Sequence, residues 1–323
     1  MNQGLILGNQ KNLKLSQAIE LFLNIRMGLV STETTIFYKR RLPDLVKVLG
    51  DLYIDTISLN DLRLWRADLL ARDTKYINHP NKEPQPGKLS PYTVHQFIRA
   101  ARTFFKWLYA EGYLFENPAS RLESVSLPAW ESKGISKDAR NRILIAAKTN
   151  ESLFCSRRDY ALILFIADTG CRRSGAVNLT INKLDIQNNS ADIYEKGRGD
   201  FGKKRTVFYS EKTKNALLDW LDVRPWDSFD NHVFVSKIKP HKGLSPEGIY
   251  RIIQRAAKKA HVQSGYNPHN FRHAAVRSWL NNGMPLPSAS QLAGHSSTLV
   301  TADIYGKMSD RQLKTDHMKY TDF

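Results

Sequence analysis

The sequence predicts a mainly helical protein of two domains, the second carrying a small antiparallel β-sheet. Three observations predict it. The chain has 323 residues, and at roughly 150 residues per domain that length favours two domains, each able to bury a core of its own. Apolar residues recur at helical spacing through the first half, whereas short strand candidates cluster between Leu184 and Tyr209. Hydrophobic residues at 41% and charged residues at 24% are ordinary globular usage, which excludes wholesale disorder and fibrous structure.

In the first half, Leu15 to Ile25 forms a helix with Ser16 as its expected cap. Ser58-Leu59-Asn60-Asp61 has the form of a capping box, opening a helix in which Leu62, Trp65 and Leu69 share a face. Residues Lys75 to Leu89 hold three prolines and little apolar material, so a long exposed loop is expected there. From Pro91 to Glu111, the residues Val94, Phe97, Ile98, Ala101, Phe105 and Leu108 follow the i, i+3, i+4, i+7 template of one buried stripe. Off that stripe, His95, Arg99, Arg102 and Lys106 line up with no acid between them. Two readings fit such a row: a solvated face, or a face turned to phosphates. Lys39-Arg40-Arg41 is a second basic cluster, open to the same two readings.

Asn117-Pro118 closes the helical half, and Pro128 lies in a stretch with few periodic apolar residues. The expected organisation is a helical domain at 1–123, a linker at 124–135 and a mixed domain at 136–323. Ser136 caps a helix whose inner face is Ile143, Leu144 and Ala147. An apolar helix, Tyr160 to Ala167, breaks at Thr169-Gly170. Leu184 to Ile186, Ala191 to Glu195 and Thr206 to Tyr209 read as short strands, the first two joined by an Asn188-Asn189 turn. Ser245 caps and Pro246 starts a helix that carries Ile249, Ile252 and Ile253 inward and Arg251, Arg255 and Lys258 on another face. A further helix runs from Pro268 to an Asn282-Gly283 stop.

Lysine and arginine number 48 against 31 acidic residues, a net charge of +17. So large an excess points to a polyanion partner, most often nucleic acid. Cys155 and Cys171 are too few for a disulfide framework and have neither the spacing nor the histidine company of a zinc site, so a reducing compartment is expected and no metal. Met1 to Asn12 lacks the basic-then-apolar form of a secretion signal, and Tyr160 to Ala167, the longest strongly apolar run, falls far short of the roughly 20 residues a membrane helix needs. A soluble, cytoplasmic protein with no membrane partner is expected.

Four pieces carry chemistry. Thr169-Gly170-Cys171-Arg172-Arg173-Ser174-Gly175 directly follows the apolar helix. An arginine beside a core must be paired or must face a ligand, because an unpaired desolvated charge is costly. Both outcomes are open. The second piece, Tyr194-Glu195-Lys196-Gly197 through Arg205, is a glycine-rich basic hairpin tip suited to phosphate. Its Gly197 and Gly202-Lys203 have P-loop spacing, but Lys204 stands where Ser or Thr is required and a strand follows where a helix should, so that reading is rejected. In Pro268-His269-Asn270-Phe271-Arg272-His273, the third piece, His269 and Arg272 share a helix face. The fourth is Gly294-His295-Ser296-Ser297, with Tyr305 ten residues after the histidine. A tyrosine there is either a packing residue or a nucleophile.

In order, these pieces resemble the tyrosine recombinases, the family of phage integrases and related enzymes that break and rejoin DNA. Thr169, Gly170, Arg172, Ser174 and Leu179 match the family's Thr-Gly-x-Arg-x-Ser pattern, and Lys196 matches its hairpin lysine. His269 and Arg272 match His-x-x-Arg, residues 294 to 297 match Gly-His-Ser-Ser, and Tyr305 matches the nucleophile. The resemblance runs from about Leu13, because the basic helical half is similar to the family's core-binding domain. One departure stands out: the family pattern has an acid after the motif serine, and here that place is Gly175. Support of the active-site arginine is therefore expected from elsewhere.

The resemblance implies a site-specific recombinase whose core-binding and catalytic domains form a C-shaped clamp around DNA. It implies a 3′-phosphotyrosyl link on Tyr305, with Arg172 and Arg272 neutralising the transition state and His295 donating a hydrogen bond. His269 would accept or relay the tyrosine proton, and Lys196 would protonate the leaving 5′-hydroxyl. The bond energy is kept in the link, so neither ATP nor metal is required and no cofactor is expected. Lys39, Arg40, Arg41, His95, Arg99, Arg102 and Lys106 would face DNA. The expected partner is double-stranded DNA with short inverted-repeat core sites at the nucleoid, bound by a dimer per site and a homo-tetramer on two synapsed sites. The tail Gly306 to Phe323 would dock on a neighbouring protomer. About a dozen residues precede the first helix, so no arm-binding domain is expected ahead of it. Two alternatives are a type IB topoisomerase-like enzyme, disfavoured by the first domain, and a non-catalytic DNA-binding regulator, disfavoured by the complete catalytic set.

Overall fold

A computed structural model of the chain describes residues 13–75, 77, 83–128, 134–150, 152–195, 203–226, 230–295, 297–305 and 318. The chain divides into two compact units, Met1–Trp130 and Glu131–Phe323.

The first unit contains α1 (Leu15–Arg26), α2 (Thr32–Lys39), α3 (Pro43–Leu49), α4 (Leu59–Ala71) and α5 (Pro91–Ala110). Phe22 of α1 meets Tyr38, Phe104 and Trp107 edge-on, which places an aromatic cluster at the centre of its core. Ser58 and Asp61 form the expected capping box at α4, and Ser90 caps α5. Ser16 is not a cap. It lies inside the first turn of α1, where its N–H and hydroxyl donate to Asp51, while Leu15 N–H donates to the Leu52 carbonyl. A bridge between Lys14 and Tyr53 already satisfies the helix start, so the capping role falls away. The segment expected to be a plain loop also differs: β1 (Thr74–Lys75) and β2 (Gln85–Pro86) pair antiparallel at its two ends. Pro86 is tolerated because β2 is a short, exposed edge strand. A buried carboxylate, Asp44, accepts two bonds from Arg72 at 2.7 and 2.9 Å and one from the Trp65 indole at 2.9 Å.

The second unit is mixed, as expected. It contains α6 (Lys137–Lys148), α7 (Leu153–Thr169), α8 (Arg173–Val177), α9 (Glu211–Val223), α10 (Pro246–Lys259), α11 (Pro268–Asn281), α12 (Leu286–Ala293) and α13 (Thr298–Tyr305). Its sheet has the order β3 (Leu184–Asp185), β4 (Ser190–Glu195), β5 (Lys203–Phe208), antiparallel throughout. Helix α7 is the central element and packs on α6, α9 and α11. It extends seven residues N-terminal to the expected apolar run, because Arg158 and Asp159 are buried as a pair and Arg158 also donates to the Val235 carbonyl. Gly170 ends α7 in the left-handed conformation at φ 58°, and a Cβ there would meet Trp279 at 3.0 Å. Among the described residues no helix is long and apolar enough to cross a membrane.

Candidate active site

Two arginines, from the first and third motifs, are braced by the carbonyls around helix-ending glycines. Arg272, on α11 and 1% exposed, donates to the Gly170 carbonyl at 2.8 Å and to the Ala293 carbonyl. Arg172, at the N-terminus of α8, lies 3.4 Å from the Gly294 carbonyl through both terminal nitrogens. Gly294 ends α12 in the left-handed conformation at φ 65°, and a Cβ there would collide with Arg205 at 2.7 Å. Arg172 is also bonded to Glu195, its N–H to Oε1 at 2.6 Å and its guanidinium to Oε2 at 2.5 Å. Arg205 of β5 donates to the same carboxylate at 3.0 Å and to the Leu292 carbonyl.

Three histidines share this cationic neighbourhood. Burial, then the charges of Arg272 and Arg172, hold His269 below the ordinary imidazole value. Burial and the charges of Arg272, Arg172 and Arg205 lower His295 to about 4, against the opposing pull of Glu195. Its Nδ1 is hydrogen-bonded to the buried Thr301 hydroxyl at 2.6 Å, which ties the histidine to α13. His273 lies edge-on to His269, centroids 4.2 Å apart, and burial followed by His269 and Arg272 lowers it to about 4. At neutral pH these imidazoles are uncharged, so each can accept a proton on one nitrogen and donate on the other. The structure thus brings Arg172, His269, Arg272 and His295 together. Tyr305 is the last residue of α13, one helical turn after Thr301; its side chain and the whole of Lys196 lie outside the described residues, as does the tail from Gly306 apart from Met318.

In the first unit, the two basic clusters meet. The guanidinium of Arg41 sits 4.1 Å over the Phe37 ring and that of Arg99 sits 4.7 Å over the same ring. Burial, then Arg99 and Arg40, pushes the Arg41 pKa down. Lys39, Arg40, Arg99 and Lys106 are exposed, and a cavity of about 450 Å3 opens beside Arg40, Arg41, Arg72 and Lys75. His95 and Arg102 have other commitments: His95 is bonded to the Ser124 hydroxyl at 2.7 Å and Arg102 donates to the Leu122 carbonyl, so both pin the segment that follows α5.

A family model described as the phage integrase family matches residues 133–312, more than half of the chain. The chain belongs to this family. It is therefore a tyrosine recombinase, an enzyme that breaks and rejoins DNA at specific sites, and neither the topoisomerase nor the regulator alternative is favoured. It is 25% identical to tyrosine recombinase XerC of Alcanivorax borkumensis, covering 88% of this chain and 86% of that one. It is 27% identical to tyrosine recombinase XerD of Listeria innocua, covering 93% and 95%. Among solved structures, the Tn1549 transposon integrase in complex with circular intermediate DNA shares the fold at a TM-score of 0.72 and 17% identity, covering 96% of this chain and all of that one. A lambda integrase dimer bound to a core site matches at a TM-score of 0.67 and 14% identity, covering 93% and 80%.

Two residues of the recombinase's site escaped the motif reading, Glu195 and Arg205. A signal for both exists in strand alternation: Ala191, Ile193 and Glu195 are buried in turn along β4, while Arg205 and Val207 are the inward pair on β5. A carboxylate and an arginine on a core face must pair. Cys171, a thiol within the first motif, is fully buried and burial raises it to about 11, so it stays protonated and does not compete as a nucleophile. Residues 203–208 form a strand, which agrees with rejecting the P-loop. Among the described residues no cluster of His, Cys, Asp and Glu could hold a metal.

Proposed function

We propose that Tyr305 attacks a DNA phosphate held between Arg172 and Arg272. The Tyr305 oxygen bonds to phosphorus, the bond to the 5′-oxygen breaks, and a 3′-phosphotyrosyl link forms. A tyrosine with an ordinary pKa near 10 must lose its proton as it attacks; His269, uncharged at neutral pH, accepts or relays it. Lys196 returns a proton to the leaving 5′-oxygen. Arg172 and Arg272 present planar, permanently charged donors to the equatorial oxygens of the transition state. In the tautomer whose Nδ1 accepts from the Thr301 hydroxyl, His295 presents Nε2–H to the same phosphate. Rejoining is the reverse attack by a 5′-hydroxyl: its oxygen bonds to phosphorus, the bond to Tyr305 breaks and the phenol regains its proton, so one phosphodiester replaces another and no energy source is consumed.

The observation that carries this reading is the convergence of Arg172, His269, Arg272 and His295 at the loop leading into α13, the helix that ends on Tyr305. The first unit supplies DNA affinity through the Phe37 cluster of Arg41 and Arg99 and the exposed Lys39, Arg40 and Lys106. Residues 1–123 serve as the core-binding domain, 124–135 as linker and 136–323 as the catalytic domain. The partner is double-stranded DNA with short inverted-repeat sites, taken up by a dimer per site and a tetramer on two sites, in the cytoplasm on the nucleoid.

A nicked suicide substrate, which loses its 5′-fragment after cleavage, tests the assignment. Wild-type protein becomes covalently attached; Tyr305→Phe binds the same DNA without attachment, and Cys171→Ala remains active. A covalent adduct on Tyr305→Phe would move the nucleophile elsewhere.

A further inference from the structure

We propose that Glu195 is the positioning carboxylate of this site and that Gly175 exists to make room for it. The inference rests on the reading of Arg172 as a phosphate-binding residue and deepens it.

Glu195 ends β4 and its side chain is 4% exposed. Its two oxygens take three donors: Oε1 accepts from the Arg172 N–H and from Arg205, and Oε2 accepts from the Arg172 guanidinium. Burial pushes its pKa up, but the Arg205 charge, the Arg172 N–H and the Arg172 charge outweigh that and leave it below the ordinary carboxylate value, so it is ionised. Gripping Arg172 at both its backbone and its guanidinium fixes the side chain at each end. A free arginine would sample many rotamers, and a phosphate-binding fork is useful only in one of them. The geometry leaves the ligand side clear: the Arg172 side chain is 28% exposed while the carboxylate behind it is almost fully covered.

Gly175 is the companion observation. It lies in α8 with its N–H donating to the Arg172 carbonyl at 2.9 Å, in backbone that any residue can adopt. A glycine inside a helix costs about 1 kcal/mol relative to alanine, and no positive φ at this position calls for it. Space does. A Cβ at 175 would meet Ile193 Cδ1 at 2.9 Å and Glu195 Cγ and Oε1 both at 3.4 Å. The Cβ itself would touch Glu195 at van der Waals distance and press on the methyl end of Ile193; it is the atoms beyond the Cβ of a longer side chain at 175 that would compete with the Glu195 carboxylate for one volume beside Arg172. The 3.4 Å gap to Oε1 is also comparable to the reach of a glutamate from its own Cβ, so an acid at 175 could occupy the same place if a smaller residue stood at 195. Glu195 is thus a positioning residue and Gly175 its steric counterpart. Because Glu195 directly precedes Lys196, the same carboxylate also anchors the strand end from which the proposed general acid begins.

The test measures single-turnover cleavage of the suicide substrate and, separately, DNA affinity. Glu195→Gln keeps shape and removes charge; it should cleave about 100-fold more slowly, the scale of a misplaced catalytic group, with affinity unchanged. Glu195→Gly should be slow, Gly175→Glu in the wild-type background should be slow through crowding, and the double variant Gly175→Glu with Glu195→Gly should recover at least tenfold over either. A purely structural carboxylate would not give that reciprocal rescue. The proposal is overturned if Glu195→Gln cleaves within about threefold of wild type, or if the double variant melts cooperatively yet is no faster than Glu195→Gly. If the double variant does not fold, the Glu195→Gln rate decides. Failure of the underlying site reading looks different: Tyr305→Phe would then form the adduct.

Discussion

Arg272→Lys separates bracing from catalysis at the most buried charge of the site. The arginine spans the Gly170 and Ala293 carbonyls with different nitrogens, and only its planar fork can do so while still presenting a donor to a phosphate. A lysine keeps the charge as a single point. One or both carbonyls lose their partner in a place that is 1% exposed, and each unsatisfied buried group costs about 1–3 kcal/mol. A total near 2–4 kcal/mol would lower the Tm by about 4–16 °C for a unit of this size. Loss of one preorganised donor to the transition state lowers cleavage by about 10²–10³-fold. The assay is suicide-substrate cleavage well below the variant's melting temperature, with thermal melting and DNA binding measured on the same preparation. A variant that melts lower but cleaves within about threefold of wild type would reduce Arg272 to a brace. An unchanged melting temperature would refute the bracing argument itself.

Lys196→Ala should fail to cleave ordinary DNA but recover on a 5′-bridging phosphorothioate, whose leaving group needs no proton; failure to recover would shift the general acid to Lys203. Replacing Arg41 and Arg99 by alanine together should flatten the dependence of log K on log salt by roughly 0.9 for each phosphate no longer neutralised, whereas Arg102→Ala, which frees the Leu122 carbonyl, should lower stability instead. An unchanged slope would return the Phe37 cluster to solvent. Stability should rise with pH between about 4 and 6.5: His273 is 3% exposed and has its folded pKa lowered to about 4 from an ordinary 6.5. The unfolded chain therefore binds more protons in that window, stability is complete above it, and it is lost as pH falls, by about 1–2 kcal/mol at pH 5. Chemical denaturation of His273→Asn should show a flatter profile, and an equally steep one would place the titration elsewhere.

Local signals were enough for much of the helical scaffold. Ser58, Ser136 and Ser245 each accept from an N–H three residues ahead, a rule that operates within one turn and needs no knowledge of the fold. The apolar stripe of α5 is buried along Val94, Ile98, Ala101, Phe105 and Leu108 for the same local reason. Where the partner lay far along the chain, local reasoning misplaced the detail. Ser16 went to Asp51 and not to its own helix, and α7 reached back to Leu153 because Arg158 found the Val235 carbonyl 77 residues away. The short helices α2, α3, α12 and α13 carry too few turns to show a period.

The chemistry of each short motif alone left its role open, whereas the candidate set Arg172, His269, Arg272, His295 and Tyr305 was legible in the sequence through its resemblance to the tyrosine recombinases. What holds them was not. The Glu195 carboxylate reaches Arg172 across 23 residues, Arg205 reaches the Leu292 carbonyl across 87, and Arg272 reaches Gly170 across 102. Such contacts depend on the register of β4 against β5 and on how α8, α11 and α12 pack around the sheet. Periodicity tells which face of an element is buried, but only the packed structure decides which charge on one buried face meets which carbonyl or carboxylate on another. That is why Gly175 reads in the sequence as a missing acid, and in the fold as the space into which Glu195 fits.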